Sequence, residues 1–305
     1  MYDVIIVGSG PAGMSAAIYA KRACLKTLLL EKQPMGGGQV LNTQEVENYP
    51  GIPLAGGFEL GQKFEEHAKA LGAEVKTEEV TEINCLEAVK KVKTAKGEYE
   101  AKVLIYAAGA SHRKLSVPGE EEFAGRGVSY CATCDGAFFR NKTTAVIGGG
   151  DTALSDALVL AKGCKKVFLI HRRDAFRGSK TLQNRVEETE NIEIILDSVV
   201  TEIRGEAAVR EISVSCVKTK DERILSVDGV FAAVGILPYT KLLEGQADLD
   251  EQGYVVAGED CRTSVDGVYA AGDVRTKPLR QIVTAAADGA NAVAAAERYL
   301  TSQKD

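Results

Sequence analysis

Apolar residues along this chain fall in short runs, each closed by a glycine-rich turn and followed by an alanine-rich stretch with helical spacing. Val4-Ile5-Ile6-Val7 leads into Gly8-Ser9-Gly10-Pro11-Ala12-Gly13. Met14 to Ala23 then reads as a helix, and Thr27 to Glu31 as a second apolar strand. Strand, turn, helix and strand in that order make a βαβ opening. The pattern restarts at Thr144-Ala145-Val146-Ile147 and runs through Gly148-Gly149-Gly150-Asp151-Thr152-Ala153. A helix-forming stretch from Ala153 to Lys162 follows, then a strand from Lys166 to Ile170. Laying Gly8 over Gly148 puts Glu31 opposite His171, so one module is repeated a domain apart.

Between the modules, Glu74 to Leu104 alternates apolar and polar residues around a Lys96-Gly97 turn, which predicts short strands appended to the first domain. Ile192 to Val230 has the same character after the second module. Val268 to Asp273 reads as a late strand, with helix-forming sequence from Gln281 to Leu300. Its expected partner is the first domain. The predicted fold is therefore α/β: two Rossmann-like dinucleotide-binding domains, the first discontinuous, each with a small appended β-sheet. Expected boundaries are 1–114 with 246–305 for one domain and 115–245 for the other. The candidate hinges between them are Leu115 to Gly119 and the stretch around Lys241 to Gln246.

At 305 residues, each domain is large enough to bury its own core. Net charge is −6 and the basic residues are dispersed, which argues against a nucleic-acid surface. The first apolar run is short and contains Asp3, so it reads as a strand and not as a signal peptide. No apolar stretch approaches the roughly 18–20 residues that cross a bilayer. A soluble, cytoplasmic protein without a membrane partner is expected. Five of the seven cysteines stand alone (Cys24, Cys85, Cys164, Cys216 and Cys261) and read as small apolar residues of a reducing compartment.

The turn at Gly8, Gly10, Pro11, Ala12 and Gly13 lets the backbone approach a pyrophosphate, with a helix N-terminus behind it. Glu31, beside Lys32, stands where a ribose hydroxyl needs an acceptor. FAD and NAD fit equally well at that point. The discrimination comes from Gly272 and Asp273 with Arg280, Gln281, Ile282 and Ala285. This segment resembles the one that two-dinucleotide flavoproteins place along the ribityl chain and ring, which implies FAD. In the second turn, Gly148, Gly149, Gly150, Asp151 and Thr152 are followed by His171, Arg172, Arg173 and Arg177 in place of an acid. Arginines accept a 2′-phosphate through charge-assisted bonds, so NADPH is predicted over NADH. The alternative is a solvated surface cluster.

Cys131-Ala132-Thr133-Cys134 lies just upstream of the second turn. Structural zinc needs four ligands, and the three histidines, His67, His112 and His171, are not close by, so no metal is expected. A redox pair is the better reading. Asp135 is a plausible proton carrier for its thiolate, or simply a turn residue before Gly136.

Ser129 to Gly136, Gly148 to Ala153, His171 to Arg177 and Gly272 to Ala285 stand in the order and spacing of the low-molecular-weight thioredoxin reductases, and the chain resembles that family throughout. Gly37, Gly38 and Gln39, and the stretch Glu47 to Gly51 with Asn48, also resemble its flavin-domain signatures. The lipoamide-dehydrogenase-like group instead carries its disulfide soon after the first turn, within the FAD domain.

The resemblance implies a homodimer that binds FAD in one domain and NADPH with the dithiol in the other. It implies hydride transfer from NADPH to the flavin, reduction of a Cys131–Cys134 disulfide, and exchange with oxidised thioredoxin, with Asp135 as acid. It also implies rotation of the domains between half-reactions. Arg126, Phe138, Phe139 and Arg140 are the docking candidates for a thioredoxin or thioredoxin-like protein.

An extra residue before Gly37, Tyr239 after Pro238, Ser155-Asp156 and Ala137 depart from the usual pattern. The peroxide-reductase flavoproteins, ferredoxin-driven variants and thiol oxidases of this scaffold fit less well, since the chain keeps the arginine motif. A redox sensor has no sequence feature in its favour.

Overall fold

The computed structural model describes residues 1–43 and 45–303. The chain forms two compact units, Met1–Ser111 with Leu237–Asp305, and His112–Ile236. In the first, β1 (Tyr2–Val7), β2 (Thr27–Glu31), β3 (Glu74–Thr77), β4 (Val80–Asn84), β5 (Lys90–Thr94) and β6 (Gly97–Tyr106) are arranged in the order β3-β2-β1-β6-β5-β4. Pairing is parallel from β3 to β6 and antiparallel among β4, β5 and β6. The expected appended sheet is thus continuous with the main one, because β6 serves both. Its residues 97–101 pair with β5, and Ala101 to Tyr106 pair with β1. Two short strands, β7 (Ala110–His112) and β16 (Ile236–Pro238), carry the chain crossings, and β17 (Val268–Ala270) pairs parallel to the end of β6.

Val4, Ile5 and Ile6 are wholly buried, as a strand covered on both faces requires. Val4 and Ile6 face α1 (Pro11–Arg22) and α6 (Ile282–Ser302), while Ile5 and Val7 join Leu28, Leu30, Val255 and Ala257 in a second core on the other side. The alanines of α1 and α6 let these helices approach closely. A Cβ on Gly289 would lie 2.1 Å from the Ala12 carbonyl oxygen.

The second unit has five parallel strands: β8 (Val128–Ser129), β9 (Thr143–Ile147), β10 (Lys166–Ile170), β11 (Ile192–Ile195) and β15 (Gly229–Ala232), in the order β11-β10-β9-β15-β8. The side-chain alternation of a strand divides β9 between two cores. Val146 packs with Ala153, Leu154, Ala157 and Leu160 of α4 (Asp151–Ala161). Ala145 and Ile147 pack with Ile203, Ile212 and Val214 from a separate antiparallel sheet of β12 (Ser198–Gly205), β13 (Val209–Cys216) and β14 (Glu222–Ser226). A short helix α3 (Ala132–Asp135) follows β8, and α5 (Lys180–Glu187) follows the loop after β10.

Neither candidate hinge is loose. Gln246 donates to the carbonyls of Ile83 and Leu242 and accepts from the Cys85 N–H, which fixes Lys241 to Gln246 within the first unit. Leu115 and Val117 pack on the core of the second unit, where the Ile203 N–H donates to the Pro118 carbonyl. Among the described residues, no helix is long and apolar enough to cross a membrane.

Candidate active site

Each unit reverses its strand order beside its first strand, so β1 and β9 end at a switch point, where open α/β sheets place ligands. Gly8 has φ +100°, and a Cβ there would lie 2.4 Å from the Ala107 carbonyl oxygen. By contrast, Gly10 has nothing within 4 Å of a Cβ position. Helix α1 begins directly after it, with Pro11 at its start and no side chain capping its N–H groups. The turn is therefore packed from behind and open in front.

Glu31 lies beside that turn, accepting from the Ser9 N–H at 2.9 Å and the Ser9 hydroxyl at 2.5 Å through Oε2, and from the Gln33 N–H through Oε1. Gly37 donates to the Ser9 carbonyl, and a Cβ on Gly38 would lie 3.1 Å from Gly10 Cα, so the glycine loop joins the same opening. The extra Gly36 is held by Glu65 of α2 (Gly57–Ala70), whose Oε2 accepts its N–H at 2.9 Å. The Gln39 amide donates to the Ala110 carbonyl, and that of Asn48 to the Gln281 side chain at 3.1 Å. Lys32 is turned aside over the Tyr239 ring.

Gly272 completes the opening, since a Cβ there would lie 2.9 Å from the Ala12 Cβ and 3.8 Å from that of Ala285. Asp273 follows. Its Oδ1 is buried and, among the described residues, has no hydrogen-bond partner; burial raises the carboxyl pKa against the opposing charges of Lys277 and Arg280. Arg280 stacks on Tyr254 and donates to the Asp273 carbonyl, and Ile282 opens α6 on an apolar cluster with Val40 and Leu60. Asp288 holds the turn from below. It accepts from the Gly272 N–H at 2.8 Å, from two Arg275 nitrogens at 2.9 and 2.7 Å, and from Lys277 at 2.7 Å. Burial alone would raise the Asp288 pKa, but the bonds from Arg275 and Lys277 leave it lowered. Glu65 and Asp288 were missed by sequence reasoning; an acid inside an alanine-rich helix was the available signal for Asp288.

The second unit repeats the opening. A Cβ on Gly148 would lie 2.3 Å from the Ala233 carbonyl oxygen, while Gly150, the uncapped start of α4, has open space. Asp151 and Thr152 are exposed on its first turn, and Asp151 accepts from the Ser179 N–H. His171 lies beneath the turn, its ring where a Cβ on Gly149 would be, stacked on Phe176 at 5.6 Å. It is 5% exposed with Nε2 unpartnered among the described residues, and burial, then the nearby arginine charges, lower its pKa. Arg172, Arg173 and Arg177 are exposed, and none makes an ion pair among the described residues. The Arg177 N–H donates to the Gly149 carbonyl at 2.7 Å, which ties the arginine loop to the glycine turn.

Cys131 and Cys134 form a disulfide across the start of α3, with Cα atoms 5.3 Å apart. Cys131 caps the helix, its Sγ accepting from the Cys134 N–H at 3.2 Å, and Cys134 is exposed. Ser129 links the disulfide to the acid. Its hydroxyl accepts from the Cys131 N–H at 3.1 Å and donates to Asp135 Oδ2 at 2.5 Å. Burial raises the Asp135 pKa against that bond. Phe138 and Arg140 are exposed beyond α3, as is Arg126 over the Phe123 ring. Phe139 requires a correction, because it is 8% exposed and packs edge-on against Phe231 at 5.2 Å. It is a core residue and not a docking surface.

Two nucleotide openings and a helix-capping disulfide define a class of oxidoreductase. The chain belongs to the pyridine nucleotide-disulphide oxidoreductase family, whose model matches residues 2–289. Within it, the chain is similar to the thioredoxin reductase of Treponema pallidum (strain Nichols), 47% identical over 301 residues, or 98% of this chain and 97% of that one. It is also similar to that of Bacillus subtilis (strain 168), 44% identical over 98% of this chain and 95% of the relative. Among solved structures, thioredoxin reductase from Streptococcus pyogenes MGAS5005 matches at TM-score 0.94 and 44% identity, covering 99% of each chain. The Lactococcus lactis enzyme in its FR conformation matches at TM-score 0.68 and the same 44% identity, covering 99% of this chain and all of the other.

Proposed function

We propose that this protein is an NADPH-dependent flavoprotein reductase of the disulfide in a thioredoxin or thioredoxin-like protein. The observation that carries the reading is the Cys131–Cys134 disulfide, in the same unit as an arginine-lined glycine turn and outside the unit of the other turn. The openings fit the two nucleotides. Gly10 and Gly150 leave room against helix N-termini with no side-chain cap, and the buried Asp273 Oδ1, without a partner among the described residues, calls for a hydroxyl donor such as the FAD ribityl chain offers. Gly8 to Gly13, Glu31, Gly37 to Gln39, Asn48 and Gly272 to Ala285 would hold FAD, and Gly148 to Thr152 with the arginines would hold NADPH. His171 supports the turn from below. When bound, the two nucleotides supply hydride transfer from nicotinamide to flavin and electrons to the disulfide.

The chain's own residues do the rest. Reduction of the Cys131–Cys134 bond by two electrons leaves two thiols, one of which attacks the substrate disulfide as thiolate. A mixed disulfide forms as one substrate sulfur leaves; the second thiolate then attacks it, re-forming Cys131–Cys134 and releasing the substrate dithiol. Asp135, its pKa raised and its carboxylate held by Ser129, exchanges the protons at this couple. Phe138, Arg126 and Arg140 offer an exposed apolar and cationic surface for the partner. The reading includes a homodimer in the cytoplasm. It also includes rotation of the domains between half-reactions. Two relatives equally identical to this chain but matching it at TM-scores of 0.94 and 0.68 support such a change of conformation.

Cofactor choice gives the test. In Arg172→Ala with Arg173→Ala, the preference for NADPH over NADH, read as the ratio of kcat/KM values, should fall by at least about tenfold. An unchanged ratio would contradict the phosphate assignment.

A further inference from the structure

Tyr130, directly before Cys131, is held at both ends of its side chain. Its hydroxyl donates to Glu120 Oε1 at 3.0 Å, and its ring stacks on His112, with centroids 5.4 Å apart and planes inclined by 22°. Glu120 is 1% exposed. Its Oε1 also accepts the Leu115 N–H at 2.8 Å, and its Oε2 the Ser116 N–H at 2.7 Å. That grip has a purpose at Ser116, whose φ of 59° is a conformation that residues other than glycine seldom adopt. His112 is the first residue of the second unit. The stretch 112–120, which brings the chain into that unit, and the stretch 129–131, which leads into the disulfide, are therefore joined by three side chains.

We propose that Tyr130 and Glu120 are positioning residues for the Cys131–Cys134 couple, holding the main chain before Cys131 to the stretch 112–120 and so favouring the disulfide over the dithiol. A buried carboxylate that accepts three hydrogen bonds is a firm anchor, and among the described residues Tyr130 is its one side-chain hydrogen-bond donor. Burial, then Glu120, raises the Tyr130 pKa, so the hydroxyl keeps its proton across the working range. Closing a disulfide needs both sulfurs held at one geometry. When the anchor is released, the segment relaxes and the dithiol gains relative to the disulfide. No electron is transferred through the tyrosine; it acts only through the pose of Cys131.

The proposal rests on the disulfide being redox-active, and its test reads that disulfide directly, without NADPH or thioredoxin. The holoprotein and its Tyr130→Phe variant are equilibrated in dithiothreitol redox buffers, quenched by alkylation, and the Cys131–Cys134 pair is counted by mass. Loss of a hydrogen bond to a charged acceptor should shift the equilibrium toward the dithiol by about tenfold, about 30 mV for this two-electron couple. Glu120→Gln should shift it the same way, and the double variant should shift it by less than the sum of the two. An equilibrium unchanged in Tyr130→Phe, at unchanged thermal stability, would overturn the proposal and leave Tyr130 as core packing. If Tyr130→Phe does not accumulate, an unchanged equilibrium in Glu120→Gln overturns it equally. A wild-type pair that never titrates would instead defeat the redox reading itself.

Discussion

Asp156, on the second turn of α4, has its carboxyl pKa raised to about 7 by burial, with no hydrogen-bond partner among the described residues. In the unfolded chain it titrates near the usual Asp value, about 3.9. Below that pH both states are protonated. As pH rises toward 7 the unfolded chain ionises freely while the folded one resists, so folded stability is lost across that window and levels off above it. Asp156→Asn should therefore melt at the wild-type temperature at pH 4, exceed it increasingly toward pH 7, and keep a constant margin beyond. A margin independent of pH would show that the carboxyl is solvated.

Asp135 is raised in the same direction, by burial. If it exchanges protons at the dithiol, Asp135→Asn should lower kcat by about 100-fold with little change in the KM for NADPH, a split measurable in one steady-state series. Asp135 was legible as a candidate because it directly follows Cys134. The role of Ser129 was not, since nothing in its spacing shows that its hydroxyl joins the Cys131 N–H to that acid.

At the scale of elements, the two glycine turns separate packing from ligand space. A Cβ on Gly13 would lie 1.9 Å from the Gly8 carbonyl oxygen, a backbone atom that cannot yield. Gly13→Ala should destabilise the first unit by about 3 kcal/mol and purify with little flavin. A Cβ on Gly150 meets nothing within 4 Å. Gly150→Ala should therefore keep its melting temperature within a few degrees while raising the KM for NADPH, because its methyl projects into the opening. Equal loss of stability in both variants would contradict this division.

The β1-α1-β2 and β9-α4-β10 modules were plain from period and turn chemistry. In contrast, α2 and α5 escaped the sequence reading. Helix α2 (Gly57–Ala70) buries only Gly57, Leu60, Gly61 and Ala68 fully, and α5 (Lys180–Glu187) only Val186, so their apolar stripes are thin. β3 was assigned to the appended strands because its polar residues gave no hint that it would pair with β2. Phe139 and Phe138 are neighbours of one type, and only tertiary packing against Phe231 separates the buried one from the exposed one.

At the scale of the molecule, a repeated module yields two different sites because the acid that ends β2 gives way, after β10, to a basic loop. Glu31 ends β2 as a hydroxyl acceptor, whereas His171 after β10 opens a loop of three exposed arginines. Repetition and sign change were both visible in the sequence. The first passage between units was legible to within three residues, whereas the second lies at Ile236–Leu237, ahead of the expected stretch, because Gln246 ties Lys241 to Gln246 into the first unit by a long-range hydrogen bond to Ile83. The central claim is that electrons from NADPH leave through the Cys131–Cys134 pair to a protein disulfide. Its most direct test is NADPH oxidation by the flavin-loaded protein with oxidised thioredoxin, beside a Cys134→Ser variant. Sustained oxidation that requires thioredoxin and disappears in the variant is the expected result. Thioredoxin-dependent oxidation that survives in Cys134→Ser would contradict the account.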